Sequence, residues 1–338
     1  MTSSASCGSI LMASVAFVHE GVGDFISQDI EIVSNLVRTF DLRWKSIRDL
    51  GMLTRSIARS DAVIVWFASG QAAVSSFLIA KLLHKRFVAI AGGSEVCRDK
   101  AIRGSGLRSD IVFAFTKLLL NNADYVVCVS RFTLKEVLNI ARPKRFVVVY
   151  HGINAKVFNS QTSDKDIVVT IMGLPNCDYM WRKGIDRFLK LASLLPHRRF
   201  VLAGRGSAKC ARCQAIRQTS LPNVLVTGEL PEVAPLLQRA RFYCQLSRHE
   251  GFGVAVAEAM ACKCVPIVSD SGALPEVVGR CGVIVPNGDP ARSARAIDEL
   301  WDRSEKLGES ARDRVIRLYS VEQRISGFKR VLRQLGCF

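Results

Sequence analysis

Short runs apolar at almost every position recur along the chain, separated by longer stretches in which apolar residues return every three or four positions. Ile10 to Phe17, Ala62 to Phe67, Phe87 to Ala91, Tyr125 to Val129 and Phe146 to Tyr150 form one series. Ile167 to Met172, Phe200 to Ala203, Val224 to Thr227, Phe242 to Leu246, Val265 to Ser269 and Gly282 to Val285 form another. Continuous apolar runs fit strands buried on both faces, and the amphipathic stretches between them fit helices. The pattern therefore predicts an α/β protein of two successive βα arrays, each a doubly wound parallel sheet covered on both sides.

The break between the arrays falls near His151 to Phe158, where a strand leaves through a glycine and the polar segment NSQTSDKD follows. The expected division is 1–155 for a first Rossmann-like domain, 156–310 for a second, and 311–338 for a basic helical tail packing back toward the first. Ligands of doubly wound sheets bind beyond the carboxyl ends of the strands, so two facing sheets define one cleft.

Composition narrows the classes. With 338 residues, 49% hydrophobic and 23% charged, the chain has ample core and is not disordered. Forty-seven Lys and Arg against 30 Asp and Glu give a net charge of +17, which favours an anionic partner: a lipid surface, a nucleic acid or a phosphorylated substrate. No helix-turn-helix, C2H2 or RNP-like pattern accompanies the charge, so no nucleic-acid partner is expected. The 11 cysteines are odd in number and lie mostly singly in apolar runs, as at Cys128, Cys244 and Cys281, which suits reduced buried thiols. Cys210 with Cys213, and Cys262 with Cys264, are close pairs that leave a disulfide or a metal open. The apolar stretch from Ile10 to Val18 has no preceding Lys or Arg and reads as a first strand, not a signal peptide. No run of 18 uncharged apolar residues occurs, so a membrane span is not expected.

The chemistry concentrates in SRHEGFGVAVAEAMACKCVPIVSDSGALPEVVG, Ser247 to Gly279. Glu250 precedes a glycine turn and Glu258 follows it by eight residues, inside the helix that the turn opens. Gly251 and Gly253 allow close backbone approach, and the free N–H groups at Gly253 and Val254, with the helix dipole, suit a diphosphate. Glu258 is placed to accept hydrogen bonds from ribose hydroxyls. This arrangement, E-G-F-G-x-x-x-x-E, then a strand, then SGALPEVV, resembles the signature of glycosyltransferase family 4, a large retaining GT-B family. The resemblance implies that Glu250 faces the donor sugar, Glu258 binds the ribose, and the Gly251, Phe252, Gly253 and Val254 backbone lies at the phosphates.

Three further stretches follow the family order. In IMGLPNCDYMWRKGIDRFLKL a strand ending in Met172 and Gly173 leads to Lys183 at a helix start near Gly184, where the family carries a lysine for the leaving diphosphate. Leu174 stands where the family usually has an arginine, and Arg182 is the candidate replacement. FVLAGRGSA, with Gly204 and Gly206, and NVLVTGELP, with Glu229 and Leu230, resemble the turns that shape the nucleobase and ribose pocket. In the first half, Gly21 and Gly23 after strand one match a glycine-rich loop near the donor phosphates. Gly92, Gly93 and Glu95 match a stretch facing sugar or acceptor.

The resemblance implies retaining transfer from a nucleotide-diphosphate sugar, UDP- or GDP-linked, with Glu250, Lys183 and Arg182 as the catalytic set. The nucleotide sugar is a substrate, so no cofactor is expected. No D-x-D or histidine cluster is legible, so no metal is expected. His19 is the one upstream histidine placed to approach the sugar; a solvated loop position fits it equally, and His249 fits simple packing beside the acid loop. Segments 36–60 and 81–108 interleave Lys and Arg with apolar residues, which fits either core helices with solvated charges or a basic face resting on anionic lipid. The second fits a glycan or lipid-linked acceptor and a cytoplasmic protein peripheral at the inner membrane face. Two other readings stand beside transfer: a GT-B nucleotide-sugar-binding protein without turnover, suggested by Leu174 and by the absence from residues 85–150 of the histidine that many family members carry close to the sugar, and a nucleotide-sugar epimerase.

Overall fold

Alternate residues of the apolar strands point to opposite sides of a sheet, so a strand such as SVAFVH must be covered twice. In the computed structural model, which describes residues 13–21, 23–98, 102, 109–159, 162, 164–172, 177–204 and 221–337, this is how the core is built. Val15 and Phe17 enter one apolar cluster, while Ala16 and Val18 enter another on the opposite face.

The first sheet contains β1 (Ser14–His19), β2 (Arg38–Arg43), β3 (Ala62–Trp66), β4 (Arg86–Ala91), β5 (Tyr125–Cys128) and β6 (Phe146–Val148), in the order β2-β1-β3-β4-β5-β6. The second contains β7 (Ile167–Met172), β8 (Arg199–Gly204), β9 (Val224–Gly228), β10 (Ala240–Gln245), β11 (Val265–Ser269) and β12 (Val283–Val285), in the order β12-β11-β10-β7-β8-β9. All neighbouring pairs in both sheets are parallel. Strand order reverses between β1 and β3 in the first sheet and between β7 and β10 in the second, the crevices where such sheets take ligands.

The expected strands are present, with two differences. The first begins at Ser14; Ile10 lies outside the described residues. The strand β2 falls in a segment read only as basic and amphipathic. Its sequence, RTFDLR, buries Leu42 alone, as an edge strand with one covered face does, so no apolar run marks it.

The two sheets share a core. One apolar cluster joins Val15, Phe17 and Trp66 of the first lobe to Phe252, Val256 and Met260 of the second. It also includes Phe328, Val331 and Leu332 of the last helix, Val321–Gln334. That helix crosses back to the first lobe against α1 (Asp24–Ser34). The residue-310 boundary falls within the preceding helix, Ser304–Leu318, and the return begins after the turn at Tyr319 and Ser320.

A buried ion pair holds the return in place. Arg324 donates from Nε and Nη2 to both oxygens of Asp29, at 2.8 and 2.5 Å, and both side chains are wholly inaccessible. Trp66 Nε1 donates to Asp29 Oδ2 at 2.7 Å, and Arg324 Nη1 donates to the carbonyls of Val149 and Tyr150. Every charge is thus matched where water is excluded. Breaking such a pair from one side leaves an uncompensated buried charge. Asp29→Asn should therefore lower unfolding free energy by about 3–5 kcal/mol, read as a shift of the urea midpoint. An unchanged midpoint would show that the pair does not hold the helix.

Candidate functional site

The loops that leave β7 and β10 meet at the switch point of the second sheet. After β7 come α6 (Cys177–Arg182), Lys183, and Gly184 in a left-handed conformation, then α7 (Ile185–Leu194). A side chain at Gly184 would run into the Leu246 backbone, so the turn lies directly on the loop that leaves β10. Arg248 ties the two together: its N–H donates to the Arg182 carbonyl at 2.7 Å, and its guanidinium grips both oxygens of Asp186 at 2.8 and 2.7 Å. The same guanidinium lies over the Trp181 ring at 4.4 Å.

This brings Lys183 and Glu250, 67 residues apart, into a 2.6 Å ion pair with side chains only 13% and 15% exposed. Burial opposes the lysine's charge, but the Glu250 carboxylate and Tyr179 outweigh it, and Lys183 is held above the usual lysine range. Arg182 lies over the Tyr179 ring, 5.0 Å from its centre. Beneath the loop runs a buried polar chain: Tyr243 donates to Gln245 at 3.0 Å, and Gln245 to Ser247 at 2.6 Å. The Glu250 carbonyl accepts from Ala273 N–H at 2.9 Å, so the SGALPEVV segment holds the acid loop from behind.

Gly251, Phe252 and Gly253 lead into the helix Val254–Ala261, whose first turn has no side-chain cap. Gly253 has φ of +97°, and a side chain there would press on Leu274 at 2.9 Å. The Phe252 side chain points away into the core among Tyr150, His151 and Tyr319, leaving its backbone for the turn. The Glu258 side chain makes no hydrogen bond or ion pair among the described residues. Burial pushes its carboxyl up to about 7, helped by the Asp24 carboxylate. Asp24 starts α1 next to Gly23, so the glycine loop after β1 faces Glu258 across the cleft.

The first lobe supplies the opposite wall. Its loop after β4 meets the acid loop without side chains between: a Cβ on Gly93 would lie 2.6 Å from the Gly251 Cα, and one on Gly251 would overlap the Gly92 carbonyl. Ser130 and Thr133 donate to the Gly251 carbonyl at 2.6 and 3.1 Å. Glu276 accepts from the Arg131 and Phe132 N–H groups at 3.0 and 3.2 Å, which caps α5 (Arg131–Ile140) from the other lobe. Tyr150 donates to the same carboxylate at 2.6 Å.

Glu95 does not hold both its oxygens out toward a substrate. One accepts from the Gly92 N–H of its own loop, the other is buried without a partner, and burial pushes the group up to about 7. His19 is buried, not solvated: Nδ1 lies 2.5 Å from the Gly21 carbonyl and Nε2 3.1 Å from Asp41. Gly204 ends β8 beside Met172. Glu229 and Leu230 follow β9, the sheet edge, two strands or about 10 Å from β7. Gly173, Leu174, Gly206 and the pair Cys210 and Cys213 lie outside the described residues, whereas Cys262 and Cys264 are free thiols.

Sequence reasoning passed over Arg248, Asp186, Glu276 and Asp24, although each sits within or next to a quoted motif. It also missed that His249 packs with purpose: its Nε2 lies 3.1 Å from Glu136, and Cys97 completes the group. Burial opposes a charge on His249, but Cys97 and Glu136 push it up to about 10.

Comparison with known proteins agrees with this architecture. Residues 14–157 match the family model described as Glycosyltransferase Family 4, and residues 166–303 match Glycosyl transferases group 1. The chain is 24% identical over 283 residues to an uncharacterized glycosyltransferase of Methanocaldococcus jannaschii, covering 82% of this chain and 76% of that one. It is 24% identical over 258 residues to the N,N'-diacetylbacillosaminyl-diphospho-undecaprenol alpha-1,3-N-acetylgalactosaminyltransferase of Campylobacter jejuni, covering 69% and 63%. In structure it resembles Anabaena HepE, solved in complex with UDP-glucose, with a TM-score of 0.78 and 14% identity over 95% of this chain and 99% of that one. Two parallel-sheet lobes closing on one cleft, with matching models across both, make this chain a GT-B glycosyltransferase of family 4.

Proposed function

We propose that this glycosyltransferase moves a sugar, with retention of anomeric configuration, from a UDP- or GDP-linked donor to a hydroxyl of a glycan or lipid-linked acceptor. The observation that carries the reading is the buried Lys183–Glu250 pair at the sheet's switch point, next to the uncapped start of Val254–Ala261. The donor diphosphate lies against the Gly251 to Val254 backbone and Lys183, with Arg182 beside it, and Glu258 accepts from the ribose hydroxyls. Gly204, Glu229 and Leu230 border the base, and Gly21 and Gly23 close over the phosphates. The UDP-glucose bound by HepE and the diphospho-undecaprenol in the Campylobacter enzyme's name support a nucleotide donor and a lipid-linked acceptor.

In the transfer, the bond from the anomeric carbon to the phosphate oxygen breaks as the acceptor oxygen attacks from the same face. The departing phosphate oxygen takes the acceptor's proton, so no strong protein base is needed. Lys183 stabilises the charge that develops on the leaving diphosphate, and Glu250 orients both Lys183 and the sugar hydroxyls. Charge stabilisation comes from protein groups in this scheme, with no metal or cofactor. The same reading divides the chain into 1–155, 156–310 and 311–338.

A peripheral position at the cytoplasmic face of the membrane belongs to the proposal. No helix of the described residues is long and apolar enough to cross a membrane. The first lobe nevertheless exposes Leu82 and Leu78 on α3 (Gln71–Leu82), and Ile111, Phe115 and Leu118 on α4 (Asp110–Asn122). Arg86 and Lys117 are exposed nearby in the chain. Apolar side chains flanked by cations are what an anionic bilayer binds.

Three outcomes test these roles. Nucleotide diphosphates and their sugars should raise the melting temperature, and Lys183→Ala should lower turnover about 100-fold while leaving much of that shift. Binding without transfer to any hydroxyl acceptor would instead favour the inactive binding protein, and interconversion of the donor itself the epimerase. Anionic vesicles should cosediment the protein at low salt, and Leu82→Glu with Ile111→Glu should abolish it; no sedimentation at low salt would remove the membrane reading.

The third concerns Glu258. Burial pushes its carboxyl from the ordinary 4.5 up to about 7, so folding disfavours its charge. The cost is absent below the unfolded value, grows as pH rises, and levels off above about 7 at roughly 3 kcal/mol. Glu258→Gln should thus stabilise the ligand-free protein at pH 8, lose that advantage as pH falls toward 4, and weaken the nucleotide-induced shift. Equal stability at pH 8 would count against a buried charge there.

A further inference from the structure

Cys97, Glu136 and His249 come from three separate parts of the chain: the loop after β4, α5, and the loop after β10. Each offers one ligand atom, and the three atoms lie within 4.8 Å of one another. His249 Nε2 is 3.1 and 3.2 Å from the two Glu136 oxygens. Zinc bonds to thiolate, imidazole and carboxylate at about 2.0–2.3 Å, so the corners of its tetrahedron stand about 3.5 Å apart. The His249 to Glu136 edge is close to that length, the three atoms as a whole lie within 4.8 Å, and the chemistry is right: one soft thiolate, one imidazole and one carboxylate.

The surroundings also point to a cation. His249 is 6% exposed and its Nδ1 is buried with no hydrogen-bond partner. Glu95 Oε2, two residues from Cys97, is buried and unpartnered too. Two cations adjoining the group along the chain face elsewhere: Arg98 lies 3.7 Å over the Phe113 ring and pairs with Asp110, and Arg248 grips Asp186. A buried thiol, two acids and an imidazole with an orphaned nitrogen are thus gathered where the lobes meet.

We propose that Cys97, Glu136 and His249 form a zinc site that staples the first lobe to the second beside Glu250. The site is separate from the diphosphate cradle and takes no part in the transfer. A zinc ion with three protein ligands there would replace the His249 to Glu136 contact with two metal bonds and add a third to the Cys97 sulfur. Because His249 adjoins Glu250, the ion would fix the acid loop against the first lobe and so favour the closed cleft. The site lies beyond the glycosyl-transfer reading and stands or falls without it.

The test uses the full-length protein stripped with a chelator, then titrated with Zn2+ in competition with a chromophoric indicator and, separately, with Co2+. Wild type should take up one equivalent that raises the melting temperature, and the cobalt form should show a near-ultraviolet thiolate charge-transfer band with intense tetrahedral visible bands. Cys97→Ser should remove the thiolate band, and His249→Asn should weaken zinc affinity by about tenfold or more. Glu136→Gln should keep the thiolate band while weakening affinity, and serves if either other variant folds poorly. A cooperative melting transition and a circular dichroism spectrum like that of the metal-free wild type show that the fold of these variants is intact. Unchanged stoichiometry and thiolate band in both Cys97→Ser and His249→Asn would place the metal on other cysteines and overturn the proposal. Absence of Zn2+ uptake by wild type would overturn it as well.

Discussion

Two glycine backbones in direct contact set the geometry of this molecule. Where Gly92 and Gly93 of one lobe meet Gly251 of the other, there is no room for a single Cβ on either Gly93 or Gly251. The carbonyl of Gly251 is then taken by Ser130 and Thr133, so the acid loop is gripped by main chain and hydroxyls of the opposing lobe. Larger residues would hold the lobes apart and lift Glu250 from the wall it faces. The glycines of the E-G-F-G sequence thus have two separate jobs: Gly253 turns the chain into a helix, and Gly251 lets another domain come near.

Around that contact the protein accepts charge in places where charge is expensive. Glu95 and Glu258 are both pushed up to about 7 by burial, while Lys183 keeps its proton because Glu250 lies 2.6 Å away. Folding alone would not select such an arrangement, since each buried acid weakens the fold near neutral pH. Their retention at the mouth of a cleft fits a site whose polar groups are completed by a bound molecule. The Asp29–Arg324 pair is the contrasting case, where every polar atom is already matched and the result is a rigid joint.

Much of this was legible from the amino acids. Apolar runs located eleven of the strands, and the spacing of Glu250, Gly251, Gly253 and Glu258 picked out the loop and helix that carry the chemistry. β2 escaped because an edge strand with one buried residue leaves no apolar run. Lys183 was found by its place after a strand, but its contact with Glu250 depends on sheet order, which puts β7 beside β10 although two strands separate them in sequence. Arg248, Glu276 and Asp24 were in view, yet their work is done on partners 62, 145 and 234 residues away. Of Cys97, Glu136 and His249, the sequence singles out the histidine alone, as packing beside the acid loop. Only tertiary structure brings them together.

The return of the last helix has a consequence for how the chain comes to be made. Asp29 is buried in the first lobe, but the guanidinium that neutralises it lies 295 residues later. A ribosome therefore releases the first sheet long before its final partner exists, and until then the Asp29 carboxylate and the apolar face that takes Phe328 and Leu332 stand open. The amino-terminal half cannot finish its own core as it emerges. Its completion waits for the helix Val321–Gln334, so the two halves mature together once that helix has been made.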